Sequence, residues 1–343
     1  MDDQSRTPKQ TSGIWGDNPT VPEQRTPLNT NDVSTTPQQP EANSPQRFRR
    51  KKAQWGLRHV IYSVVGFLGV QILASIGLIV YAFTQTDVAS VITNPAATTD
   101  EITQATTSLL SAPLVLAAVQ FSMYLTWLAF AWFATKFRGL NSFKKDFWLR
   151  FRWYDAPLGA VIAWGLIALE TAIFSLLPMI FPGLNMEGTD NGSFLTQYTG
   201  VWFVIVAIGI GGIAGPFFEE LYFRGFVMQG LIRYFRKGLR RKPTSKLGNK
   251  VYTDNPGLYN GYLKVKRWMY DKKYILAMII SSVAFGLMHW QGTETFGQMI
   301  VPVFTGLLGL LFAYVSIKMR RIGLAVFIHI FFNTTTLILS TFS

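Results

Sequence analysis

Glu219 and Glu220 stand side by side in an apolar run, Phe217-Phe218-Glu219-Glu220-Leu221-Tyr222-Phe223-Arg224-Gly225-Phe226, with Arg224 four residues beyond the second carboxylate. Residues four apart share one face of a helix. The acid precedes the base, the better order for a helical ion pair. That pairing accounts for Glu220 and Arg224 in apolar surroundings and leaves Glu219, one residue round the helix, without a local partner. Two later apolar runs carry His289 in one and His329 with Asn333 in the other, the last two again four apart. The chain has three histidines, and the third, His59, sits beside Arg58 at the edge of an apolar run.

A carboxylate and two imidazoles suit the activation of water. Burial and the neighbouring Glu220 favour Glu219 as a general base. An imidazole N–H and the Asn333 amide are donors for a developing oxyanion. The expected reaction is hydrolysis of an amide bond. Glu219, His289 and His329 also form a valid three-ligand zinc set with an open position for water. The H-E-x-x-H helix of many zinc proteases is absent, and the spacing does not decide between a Glu-activated water with no required cofactor and zinc. Each residue alone has a plainer reading: Glu220–Arg224 as a packing salt bridge, each histidine as a satisfied core residue, Asn333 as a hydrogen bond between helices.

The elements that must position these groups are membrane spans. Apolar runs at about 57–83, 109–135, 156–182, 200–233, 274–290, 297–317 and 322–341 compare with the roughly 20 helical residues that cross a hydrocarbon core. The fold class expected is an all-α polytopic transmembrane helix bundle of about seven spans. Segments 84–108 and 183–199 contain no Lys or Arg. Segment 136–155 carries Lys136, Arg138, Lys144, Lys145, Arg150 and Arg152; segment 234–273 is denser, and the turn at 318–321 carries Lys318, Arg320 and Arg321. Basic blocks at every second connection predict a cytoplasmic N-terminus and a C-terminus outside, and the absence of cysteine with a compact seven-span plan fits a bacterial plasma membrane. Counted from the cytoplasmic ends at the usual helical rise, Glu219 is roughly 21 Å deep, His289 roughly 24 Å, and His329 and Asn333 roughly 12 and 18 Å, so the four can meet. Gly211 with Gly215, and Gly306 with Gly309, read as helix-packing positions. Pro216 removes a backbone hydrogen bond just before the two glutamates and is expected to kink the helix. Glu170, also within a span, has no assigned role.

The net charge of +13 lies in blocks between apolar runs, which fits topology and contact with anionic lipid at the basic loops, not a folded nucleic-acid-binding face. The absence of cysteine excludes disulfides, thiolate metal sites and a cysteine nucleophile. Residues 1–55 read as a polar, disordered cytoplasmic tail rich in Pro, Thr, Gln and Asn, ahead of a membrane domain at 56–343.

Three motifs together resemble those of the CAAX-protease and bacteriocin-processing (CPBP) family, which includes the Rce-type prenyl endopeptidases: Glu219-Glu220-x-x-x-Arg224, Phe285-x-x-x-His289 and His329-x-x-x-Asn333, in that order on separate predicted spans within about 200–335. The resemblance implies an intramembrane endopeptidase with a cavity open towards the cytosol. Glu219 would be the base, supported by Glu220 and Arg224. His289 would serve water activation or transition-state binding, with His329 and Asn333 on the oxyanion side. The substrate would be a membrane-embedded or lipid-anchored peptide or protein. Two other functions share these features: a non-catalytic bacteriocin-immunity or scaffold protein on the same fold, and a proton-coupled carrier, for which an internal repeat would be expected and none is seen.

Overall fold

The apolar runs fold as helices whose ends fall close to where hydropathy and charge place them. The computed structural model describes residues 53–110, 112–189, 195, 197–236, 256–290, 292 and 294–342, and among these the regular structure is entirely helical. In chain order the helices are α1 (Leu57–Thr84), α2 (Thr86–Thr93), α3 (Thr99–Leu110), α4 (Pro113–Arg138), α5 (Phe143–Asp146) and α6 (Asp155–Ile180). Then come α7 (Gly200–Phe235), α8 (Pro256–Asp271), α9 (Lys273–Leu287), α10 (Phe296–Met319) and α11 (Gly323–Phe342). The expected tail lies outside the described residues as far as Lys52, as do residues 237–255 of the basic loop. Trp55, at the end of the tail segment, is buried.

Six of these helices, α1, α4, α6, α7, α10 and α11, are long and apolar enough to cross a membrane. The chain is an all-α polytopic bundle. The fifth apolar run, at 274–290, differs from expectation. It forms α9, a helix of 15 residues, about 22 Å long at 1.5 Å per residue against a core of about 30 Å. Its chain turns at once: the backbone N–H of His289 donates to Gly286 O at 2.9 Å and that of Trp290 to Leu287 O at 3.2 Å.

Local chemistry sets the helix ends. Pro113 opens α4, where a missing N–H costs nothing. Lys136 and Arg138 close it, where cations complement the helix dipole. Thr295 caps α10, its hydroxyl accepting from the Gln298 N–H at 3.1 Å. At the other end Arg320 adopts φ 51°, and Arg320 and Arg321 N–H groups satisfy Ile317 and Ser316 carbonyls.

Helix α7 is not uniformly α-helical. Phe203–Ala214 and Leu221–Val227 are π-helical, and Gly215–Glu220 between them is α-helical. Pro216 lies in the first turn of that α segment, so the break expected there takes the form of a change in helix type. Such π segments are uncommon and gather at functional sites. Helices α9 and α10 cross closely where both lack side chains: a Cβ on Gly286 would lie 3.0 Å from Gly306 Cα. The packing role read for Gly306 is therefore observed. Helix α11 packs between α6 and α7, with Gly159 of α6 against Phe327 and Gly212 of α7 against Thr334.

Two buried carboxylates tie the helix ends on the basic face. Asp146 accepts from Trp55 Nε1 at 3.1 Å, Thr135 Oγ1 at 2.5 Å and the Leu140 N–H at 2.7 Å, and pairs with Arg233 at 3.3 Å. Arg233 also lies over the Trp55 ring. Asp155 pairs with Arg321 and accepts from the Arg152 N–H at 2.8 Å. Both aspartates are fully buried.

Candidate active site

Glu219, His289, His329 and Asn333 line one cavity of about 620 Å³ among α4, α6, α7, α9, α10 and α11. Glu170, given no role from sequence, lines it too. Glu220 and Arg224 stand behind the wall, both fully buried.

The Glu220–Arg224 pair forms as the spacing predicts, with Arg224 Nη1 2.9 Å from Glu220 Oε1. Three aromatic rings enclose the guanidinium: Phe285 at 4.1 Å, Phe312 at 5.3 Å and Phe223 at 6.0 Å from ring centre to Cζ. A cation over ring faces in a desolvated site is stabilised by the ring quadrupoles. Gly309 leaves room for this group, since a Cβ there would sit 3.0 Å from both Arg224 Nη2 and Phe285 Cδ1.

His329 stands between the two carboxylates. Its Nδ1 is 3.1 Å from Glu220 Oε1, and its Nε2 is 3.8 Å from Glu219 Oε2. A carboxylate oxygen accepts, so Nδ1 carries a proton and donates to Glu220. The Nε2 contact is too long for a direct hydrogen bond and has the reach of a water-bridged one. Sequence spacing pairs His329 with Asn333 and does not reveal this contact with Glu220, which crosses from α11 to α7. The His329 ring is fixed between Phe312 and Phe285, at 5.1 and 5.8 Å between centroids.

Glu219 is partly accessible, its side chain 18% exposed, whereas Glu220 is at 0%. Its Oε2 receives no hydrogen bond among the described residues. The two adjacent glutamates are thus divided by environment: Glu220 is fully buried with its Oε1 held by Arg224 and His329, and Glu219 lines the cavity. Tyr124 of α4 joins this side of the site. A Cβ on Gly215 would lie 3.0 Å from the Tyr124 hydroxyl and 3.9 Å from Glu219 Oε1, so both groups flank Gly215. The Tyr124 ring stacks on Phe218 at 4.8 Å. Nothing in the sequence distinguishes Tyr124 from the other tyrosines of the spans. Gly211 and Gly215, read from sequence as packing positions, both border the cavity.

His289 follows the end of α9. Its Nδ1 lies 2.8 Å from the Phe285 carbonyl oxygen. A carbonyl only accepts, so Nδ1 holds the proton and Nε2 is the acceptor of the neutral ring. Asn333 Nδ2 is 3.5 Å from Gly211 O, a long contact that leaves the amide close to the cavity wall. The possible zinc set of Glu219, His289 and His329 does not converge. Among the described residues no three His, Asp or Glu side chains are grouped so as to hold a metal ion. The Nδ1 bonds of His289 to the Phe285 carbonyl and of His329 to Glu220 fix the two ring tautomers and leave Nε2 of each ring as the acceptor.

Residues 200–335 match the model of the family described as type II CAAX prenyl endopeptidase Rce1-like. The match contains α7, α9, α10 and most of α11, and with them every motif residue above. This match over residues 200–335 is consistent with a CPBP-family intramembrane protease. No curated protein and no solved structure matches the chain.

Proposed function

We propose, with the Rce1-like domain at 200–335 as the premise, that this chain is an intramembrane endopeptidase that hydrolyses a peptide bond with a water activated by Glu219. One observation carries the reading. Glu219 lines the cavity with His289, His329 and Asn333, its side chain 18% exposed, while its neighbour Glu220 is fully buried and paired with Arg224. Ionisable groups within spans are costly and mark function unless paired. Glu220 and Arg224 have the paired arrangement at 2.9 Å, whereas the contact of Glu219 with His329 is 3.8 Å long.

The residues divide the work as follows. Glu219 accepts a proton from water as that water attacks the scissile carbonyl, then gives it to the leaving amine. His289, with its proton committed to the Phe285 carbonyl, offers Nε2 to hold the same water. His329 is oriented by Glu220 and offers Nε2 on the far side of the reacting centre. When that nitrogen is protonated it donates to the oxyanion of the tetrahedral intermediate, together with the Asn333 amide. Glu220 and Arg224 are positioning residues.

No step is assigned to a metal. If zinc were needed, Glu219, His289 and His329 would be its ligands, each ring through Nε2 with Nδ1 kept on its present partner. The test is cleavage of membrane-tethered peptides by purified protein in liposomes, with and without a zinc chelator. Cleavage that survives the chelator supports glutamate chemistry. Cleavage lost to the chelator and restored by zinc would replace it with metal chemistry.

The setting belongs to the same reading: a plasma membrane, with the basic connections cytoplasmic and against anionic lipid. Helix α8 supports the lipid contact. Leu258, Tyr262, Val265 and Trp268 are exposed at helical spacing, with Lys264, Lys266 and Arg267 among them, the composition of a helix lying in a membrane interface.

A further inference from the structure

The cavity is not centred in the bundle. Much of its lining comes from the halves of the helices opposite the basic clusters. Thr189 and Leu195 belong to the connection between α6 and α7, Val301 and Thr305 to the first turns of α10, and Thr336 and Ser340 to the last turns of α11. These ends join segments without Lys or Arg. The end of α9 lies on the same side, where Met288 and His289 line the cavity.

Towards the basic face the cavity stops. Phe223, Phe285 and Phe312 form its floor around the Arg224 guanidinium. Below them Phe226, Phe147 and Trp55 are packed ring to ring and fully buried. The ion pairs Asp146–Arg233 and Asp155–Arg321 hold the helix ends together at this level.

We propose that the segment to be cut reaches Glu219 from the face opposite the basic clusters. This rests on the proteolytic reading above and deepens it. With basic connections cytoplasmic, that face is extracytoplasmic. It is the reverse of the cytosolic opening that the family resemblance implies. The substrate class is then an extracytoplasmic stretch of a membrane-attached or exported polypeptide, taken as an extended chain, and not a cytoplasmic C-terminus. The wall chemistry agrees. Thr171, Thr305, Thr336 and Ser340 place hydroxyl oxygens on the wall, those of Thr336 and Ser340 donating within their own helix and so available to an extended backbone as acceptors, and among the described residues the lining holds no Lys or Arg.

Helix α10 allows a direct test, because the natural chain has no cysteine and any introduced thiol is the sole target. Thr305 lines the cavity, and Lys318 is exposed at the basic end of the same helix. Thr305→Cys and Lys318→Cys would be treated with a membrane-impermeant maleimide in right-side-out and in inverted vesicles. The expected result is labelling of Thr305→Cys in right-side-out vesicles and of Lys318→Cys in inverted ones. Ser340→Cys, near the end of α11, repeats the measurement if Thr305→Cys does not fold. Labelling of the cavity thiols from the Lys318 side, or from neither side, overturns the proposal. Labelling requires no proteolysis, so the same result in a Glu219→Gln background separates this inference from the catalytic one. In a preparation that cleaves peptides, modification of Thr305→Cys from the outside should abolish cleavage, and undiminished cleavage after complete modification would also overturn it.

Discussion

Nδ1 of His329 and Nη1 of Arg224 converge on a single oxygen, Oε1 of Glu220, at 3.1 and 2.9 Å. The contact joins α11 to α7 and fixes which nitrogen of His329 faces Glu219. Glu220 thus acts on the reaction through His329. Replacing it by glutamine keeps an oxygen but removes the charge, frees the imidazole and leaves Arg224 without its counter-ion. Glu220→Gln should lower kcat about 100-fold, the loss expected from displacing a reacting group by about 1 Å, with KM little changed. An equal loss spread over KM would instead indicate a contact with substrate.

His289 has its proton committed to the Phe285 carbonyl. If its Nε2 holds the attacking water, His289→Ala should reduce kcat by about 10²–10⁴-fold, the usual contribution of a positioned acid or base, while the protein still binds substrate. Near-normal turnover in His289→Ala would reduce this residue to a cap on α9.

Gly215 separates the Tyr124 hydroxyl from Glu219. A methyl group there crowds the hydroxyl first, since that contact would be 3.0 Å against 3.9 Å to Glu219 Oε1. Gly215→Ala should therefore reduce activity, and Tyr124→Phe in the same chain should recover part of it. This double-mutant cycle reads coupling between neighbours. Two independent losses that simply add would show that Tyr124 contributes to the reaction through its hydroxyl rather than by crowding.

Asp155 is fully buried and Arg321 nearly so. Removing one partner of a buried pair leaves an uncompensated charge and costs about 3–5 kcal/mol. Arg321→Ala should lower the unfolding midpoint in detergent far more than Arg320→Ala, whose side chain is exposed. Equal midpoints would mean that water reaches Asp155 once the arginine is gone.

Much of this arrangement is legible in the sequence for identifiable reasons. Apolar length and the placement of Lys and Arg fix six of the spans to within a few residues, because crossing a membrane makes demands on every residue of a run. The glutamate pair and Arg224 are legible because helical spacing is local. Contacts between helices carry no such signal. The His329–Glu220 bond spans 109 residues, and Tyr124 reaches the site from α4 with no motif around it. Asp146 and Asp155 sit among basic loop residues and look like surface charges until Trp55, Arg233 and Arg321 close over them. The brevity of α9 is concealed because Met288 and Trp290 extend its apolar run beyond the helix end. Glu170 was visible as a charge in a span, but only the assembled cavity shows that it shares a wall with Glu219.

Glu219 as the base that activates water is the central claim, and Glu219→Gln tests it most directly. Purified wild type and variant in liposomes would be compared against a library of membrane-tethered peptides, with folding of the variant verified by its unfolding midpoint. Cleavage by the wild type and none above background by the folded variant is the predicted result. Cleavage by Glu219→Gln at the wild-type rate would contradict the account.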